Sequence, residues 1–132
     1  MQTVRSLTAV VLLAGSLASP IVQAQGDFGT LKPLGEKLLD ENPYRGDKEA
    51  IRVGGSAYAQ QCARCHGIEG ISGGMSPDLR MMDIDKENDK IYLSVTLRGA
   101  TRNGKVYMPP FKGILSQEAI WAIRSYTDSR PK

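Results

Sequence analysis

Cys62-Ala63-Arg64-Cys65-His66 is the stretch on which the reading of this chain turns. Its two thiols stand three positions apart and its imidazole follows at once, so on a helix all three groups share one face within about one turn. C-x-x-C-H is the attachment signature of c-type haem: the thiols add to the two vinyl groups of the macrocycle, and the adjacent imidazole reaches the iron. Other uses of two cysteines fit less well. A thioredoxin-like dithiol needs a βαβ surround, and no alternation of strand and helix patterns flanks Cys62. A zinc site needs a further ligand, because Cys62, Cys65 and His66 are all the cysteines and histidines in the sequence.

Haem iron in such a setting takes a second axial ligand, and the lack of a second histidine leaves Met, Lys, Tyr, water or an open position. Methionine leads. Met75, Met81 and Met82 follow His66 by only 9 to 16 residues, whereas Met108 follows it by 42, far enough for the chain to wrap the haem edge and return on the opposite face. Met108 also opens Met108-Pro109-Pro110-Phe111, where two prolines remove backbone freedom and stiffen the segment that carries the thioether. Met81 or Met82 reads instead as a filler of gaps in the core. A dry His66/Met108 haem has a raised reduction potential and no free coordination position, so it suits electron transfer. The alternative is a haem with an open distal site that binds or reduces a small molecule.

The rest of the sequence sets the scale and the compartment. The chain has 132 residues with 41% hydrophobic and 23% charged side chains, the proportions of one ordinary globular domain. A net charge of +3, spread without a long basic run, gives no sign of a nucleic-acid partner. Arg5 is the only charge among the first 26 residues and precedes the apolar stretch Leu7 to Ala18, too short for a membrane span. With Val22-Gln23-Ala24 beyond it, residues 1–24 read as a secretory signal cleaved after Ala24, which leaves no stable membrane insertion and places the mature chain in an oxidising compartment.

Residues 25–47 carry Gly26, Pro33, Gly35, Pro43 and Gly46 and read as an irregular arm, with room for a short helix at Glu36 to Asp40. From Asp47 the apolar and small residues Ala50, Ile51, Gly54, Ala57 and Tyr58 recur at three and four, the mark of an amphipathic helix running into Cys62. Gly54 and Gly55 weaken such a helix by about 1 kcal/mol each unless they serve close packing. Ser116 caps a second helix with Glu118 in its first turn and a stripe of Ile120, Ile123 and Tyr126, with Trp121 beside it. A third is expected over Lys90 to Arg98; its apolar alternation also suits a strand, but no second strand is evident to pair with it.

These features together resemble a class I cytochrome c over most of Asp47 to Arg130. Members of that family have a small residue eight positions and an aromatic four positions before the first cysteine, matched here by Gly54 and Tyr58, and an apolar and an aromatic residue three apart on the C-terminal helix, matched by Ile123 and Tyr126. The resemblance implies an all-α fold, three to four helices around one covalently bound haem c, formed by residues 48–132. It also implies that the carbonyl of Pro77 accepts the outer ring proton of His66, which adds Pro77 to Cys62, Cys65, His66 and Met108 as a haem-binding residue. More narrowly, Asn42-Pro43-Tyr44-Arg45-Gly46, Ser72-Gly73-Gly74, Pro77-Asp78-Leu79-Arg80 and Trp121-Ala122-Ile123-Arg124-Ser125-Tyr126 resemble the small periplasmic cytochromes c550 that accept electrons from PQQ-dependent alcohol dehydrogenases. That likeness implies a periplasmic monomer that is a carrier rather than an enzyme, with a quinoprotein alcohol dehydrogenase as donor and a downstream cytochrome or terminal oxidase as acceptor. Arg64, Arg80, Arg98, Arg102, Lys105 and Lys112 are the candidates for orienting such partners or holding haem propionates.

Overall fold

The computed structural model describes residues 27–132; the expected signal segment and its cleavage site lie outside the described residues. Asp47 starts the first helix, α1 (Lys48–Gln61), by accepting from the Ala50 amide at 2.8 Å, a side-chain cap of the kind worth about 1 kcal/mol. After a break at Cys62, the single turn α2 (Ala63–His66) carries the motif. Asp85 caps α3 (Lys86–Arg98) and Ser116 caps α4 (Gln117–Asp128) in the same way. Among the described residues these four helices are joined by one small sheet, the antiparallel pair β1 (Ala100–Arg102) and β2 (Lys105–Met108). The fold is mostly helical, as expected, and α3 is a helix rather than a strand.

The hairpin corrects the expectation that no strand pairing exists. Asn103 at φ 50° and Gly104 at φ 74° form the tight two-residue connection that needs positive φ at both positions, for which Asn-Gly is the favoured pair. The short helix expected at Glu36 to Asp40 is also absent. There the backbone bonds outward: Gln117 accepts from the Leu39 amide at 2.6 Å and donates to the carbonyls of Gly35 and Lys37, so a side chain of α4 takes the place of helical bonds.

The core lies where α1 crosses α4, and the crossing is set by Gly54. A Cβ at Gly54 would stand 1.9 Å from the Ala122 carbonyl oxygen, so only glycine admits this approach. Next to it, Gly55 leaves the space into which the Tyr126 ring fits, and Tyr126 tilts against Tyr58 with ring centroids 5.3 Å apart. Ala50, Val53, Ala57 and Tyr58 on α1 and Ile120, Trp121 and Ile123 on α4 fill the interface, each at most 3% exposed.

A charged cluster ties the other elements to that crossing. Arg124 on α4 and Asp89 on α3 are fully buried and joined at 3.1 Å, and Arg124 also donates to the Asp83 carbonyl at 2.7 Å. Asp89 accepts in addition from the Asn42 amide and from Arg45, and Arg45 reaches Asp128 at 2.7 Å. The N-terminal arm is thus held by both acids, and its own Leu31 and Tyr44 are buried. Burial pushes the Asp128 carboxyl up, against the pull of Arg124 and Arg45.

Gly54→Ala is expected to cost at the top of the ~1–3 kcal/mol range for an overpacked core, because backbone on both sides must move, while Gly55→Ala meets only the Tyr126 ring at 3.0 Å and costs less. Asp89→Asn removes the carboxylate that joins Arg124 to Arg45 and leaves Arg124 only Asp128 at 3.1 Å, and is expected to cost about 3 kcal/mol, the low end for breaking a buried pair. Lys86→Ala, which loses only exposed pairs to Asp40 and Glu41, costs under ~1 kcal/mol. Urea unfolding of the variants checks all of these.

Candidate functional site

The end of α1 presents the motif. The Cys62 amide donates to the Tyr58 carbonyl at 2.8 Å, and the amides of Cys65 and His66 both return to the Cys62 carbonyl, so the C-x-x-C-H residues form one tight turn. Both sulfurs are free, Cys62 half-buried against the core and Cys65 exposed. Burial pushes the Cys62 thiol up to about 12, the mark of an apolar environment rather than of an activated thiolate.

His66 is buried, and its Nδ1 lies 2.9 Å from the carbonyl oxygen of Pro77. A carbonyl can only accept, so Nδ1 carries the proton and Nε2 keeps its lone pair for a metal. The loop that returns Pro77 to the ring is fixed throughout. Gly67, at φ 80°, turns the chain sharply after His66; a Cβ there would meet the Ile71 carbonyl oxygen at 1.9 Å. Tyr58 donates its hydroxyl to the Gly67 carbonyl at 2.7 Å, linking the α1–α4 interface to the residue after the histidine. Ser72 donates to the Ser76 carbonyl and accepts from the Gly74 amide at 3.0 Å. Beyond Pro77, Arg80 grips Asp78 through both Nε and Nη2 and reaches the Pro131 carbonyl at 2.8 Å.

Met108 ends β2, half-buried against the core. Its loop is stapled to the C-terminal end of α3: the Phe111 and Lys112 amides donate to the carbonyls of Thr96 and Leu97, which have no partner within the helix. Gly99, at φ 72°, is the condition for this approach, since a Cβ there would stand 2.4 Å from the Met108 carbonyl oxygen and 2.8 Å from the Pro110 nitrogen. Sequence reasoning missed Gly99, although glycine directly after a helix and before a proline-rich loop was a signal for it. Of the other methionines in the described part, Met75 and Met81 are exposed and Met82 packs on the core.

This donor set fits one covalently bound haem c: two free thiols on one turn, an imidazole nitrogen oriented by a carbonyl, and a thioether on a separate stiff loop. Ile68, Ile71, Met75 and Met81, apolar and exposed at 52% or more on the loop beyond His66, suit contact with a large flat apolar group. Among the described residues no three His, Cys, Asp or Glu gather as a metal site, which leaves the zinc reading without its further ligand.

Of the six cations singled out in the sequence, Arg80 is engaged within the loop, and Arg98 leans on Ser94 of its own helix at 2.6 Å. Arg64, Arg102, Lys105 and Lys112 have no ion-pair partner among the described residues. The Arg80 guanidinium holds the Asp78 carboxyl down to about 2, so the pair stabilises the fold above the ordinary carboxylate range near pH ~4. The difference in stability between the unmodified protein and Asp78→Asn is therefore expected to stay constant above about pH 5 and to vanish as pH falls through about 2; unfolding curves over that range check it.

The comparisons with known proteins agree with this geometry. The family described as cytochrome c oxidase, cbb3-type, subunit III, matches residues 49–126. The chain is 43% identical to cytochrome c550 of Pseudomonas aeruginosa over 93% of its own length and 92% of that protein. It is also 32% identical to the quinohemoprotein alcohol dehydrogenase ADH-IIG of Pseudomonas putida, over 64% of this chain but only 11% of the dehydrogenase. Among solved structures, cytochrome CL of the marine methylotrophic bacterium Methylophaga aminisulfidivorans superposes with a TM-score of 0.56 at 27% identity, covering 78% of this chain and 72% of that one. No helix of the described residues is long and apolar enough to cross a membrane. A likeness to cytochrome c550 that runs nearly end to end, on a helical fold whose central turn is C-x-x-C-H, makes this chain a member of the class I c-type cytochromes.

Proposed function

We propose that the protein is a periplasmic one-electron carrier that takes electrons from a PQQ-dependent alcohol dehydrogenase and passes them to a downstream cytochrome or terminal oxidase, without making or breaking substrate bonds. In this reading Cys62 and Cys65 would hold the haem covalently, His66 Nε2 and Met108 Sδ would bind its iron, and Pro77 orients the histidine. The observation that carries it is the imidazole that the Pro77 carbonyl orients at the C-x-x-C-H turn, and the stiff loop stapled to α3 supports Met108 as the second ligand. When bound, the haem supplies a ferric/ferrous couple.

The chain's own residues set the conditions for that couple. The Pro77 carbonyl fixes the ring plane of His66 and makes Nε2 a better donor. Soft sulfur from Met108 would favour the ferrous state and would leave no free position for a small substrate. Support for the donor comes from the likeness to part of a quinohemoprotein alcohol dehydrogenase: a cytochrome of this kind occurs there within the dehydrogenase chain, and a separate one suits the same electron source.

Met108→Ala tests the ligand assignment. The ferric protein is expected to show the weak long-wavelength band of sulfur-to-iron charge transfer, and the variant to lose it and to fall in reduction potential. Met82→Ala, which removes the half-buried methionine on the core, keeps both. A band that persists in Met108→Ala and disappears in Met82→Ala reverses the assignment.

A further inference from the structure

Two arginines and two aspartates close a ring where the arm, α3 and α4 meet. Asp89 of α3 accepts from Arg124 Nε at 3.1 Å through one oxygen and from Arg45 through the other. Asp128, one turn beyond Arg124 on α4, faces Arg124 Nη1 with one oxygen at 3.1 Å and accepts from Arg45 Nη1 with the other at 2.7 Å. Each charge thus lies between two of opposite sign, and all but Arg45 are at most 6% exposed. The Asn42 amide donates to Asp89 at 2.9 Å and Ser125 donates to the Tyr44 carbonyl at 3.0 Å, so residues 42–45 of the arm are tied to both helices.

The proposed electron transfer makes no use of this ring, and an apolar filling would hold the elements as firmly. What the ring adds is position. Charge-assisted hydrogen bonds fix the distance and direction between the elements that bear them, whereas apolar side chains tolerate sliding. On α3, Asp89 shares a face with Tyr92, whose hydroxyl donates to the Ile120 carbonyl of α4 at 3.0 Å and whose ring tilts against Trp121. These two residues anchor the first half of the helix. The second half holds the Met108 loop: the carbonyls of Thr96 and Leu97 accept the amides of Phe111 and Lys112, and Gly99 lets the Met108-Pro109-Pro110 backbone lie against the helix end. From Asp89 to Thr96 the helix rises about 10 Å at ~1.5 Å per residue, too short a rod to bend, so a shift at the ring passes to the loop.

We infer that Arg45, by closing this ring, is a positioning residue: it holds α3 in place against α4 and thereby sets how firmly Met108 holds the haem iron. The inference rests on the reading of Met108 as axial ligand and adds to it the joint on which the ligand loop depends. Arg45 is also the residue to vary. Its side chain is 31% exposed, and its removal leaves both pairs of Arg124 in place, so the protein still folds.

Imidazole competes with methionine sulfur for ferric haem iron, so its apparent affinity scales with the fraction of molecules in which the sulfur is off. The test is imidazole titration of the ferric holoprotein, followed by loss of the long-wavelength band. Arg45→Gln is expected to bind imidazole about tenfold more tightly than the unmodified protein, and Arg45→Lys, which keeps a cation between the two acids, to stay within about threefold of it. Two controls exclude other causes. Arg52→Gln, whose arginine pairs with Glu49 on the exposed side of α1, makes the same change in net charge, and Ile123→Val loosens the α1–α4 interface by one methyl; both are expected to stay within about twofold. A gain in affinity in Ile123→Val that matches Arg45→Gln for the same loss of stability in urea overturns the inference, because any loosening of the fold would then serve. An unchanged affinity in Arg45→Gln overturns it too, and in both cases the ligand reading stands provided that Met108→Ala loses the band. A band absent from the unmodified protein, or one that survives in Met108→Ala, removes the ligand reading and the inference with it.

Discussion

The close approach of α1 to α4 at Gly54 is the constraint on which the other elements depend. One missing Cβ lets the helix backbones meet at Ala122, and the rest of the interface follows from that separation. Tyr58 can then lie between α4 and the haem-binding turn, stacking on Tyr126 while its hydroxyl holds the Gly67 carbonyl. The position of His66 is therefore fixed from both ends of one turn, by α1 before it and by the Gly67 anchor after it. A larger residue at position 54 would move the motif as well as loosen the core.

A second close approach fixes the loop that carries Met108. Gly99 lets the Met108-Pro109-Pro110 segment lie against the end of α3, where two carbonyls left over by the helix accept the amides of Phe111 and Lys112. The two halves use one physical device: a glycine removes the steric barrier, and a small number of backbone hydrogen bonds then hold the loop. The result is a pair of donors on separate rigid supports, as a group that must change charge without large rearrangement requires.

Much of this was legible in the sequence because it rests on local rules. The spacing of Cys62, Cys65 and His66, the period of α1 and α4 and the cap at Ser116 all act over a few residues. What escaped was set by distant partners. Nothing in the helix periods singles out Arg124 and Asp89, and only the meeting of α3, α4 and the arm shows them fully buried. The helix expected at Glu36 to Asp40 lost its backbone bonds to Gln117, about eighty residues away. The hairpin is a different case: Asn103-Gly104 was a visible turn signal, but its strands are exposed on both faces and lack the apolar alternation by which strands are recognised.

In the proposed reading His66 and Met108 would fill both axial positions of the haem, so that electrons would pass and small ligands would not. Mixing the dithionite-reduced holoprotein with carbon monoxide at neutral pH tests it most directly. A spectrum that stays unchanged after mixing is the predicted result, since in the proposed reading Met108 would hold the position that the gas would take. An immediate shift of the haem absorption would contradict the account, because it would show an accessible iron and make the protein a binder of small molecules.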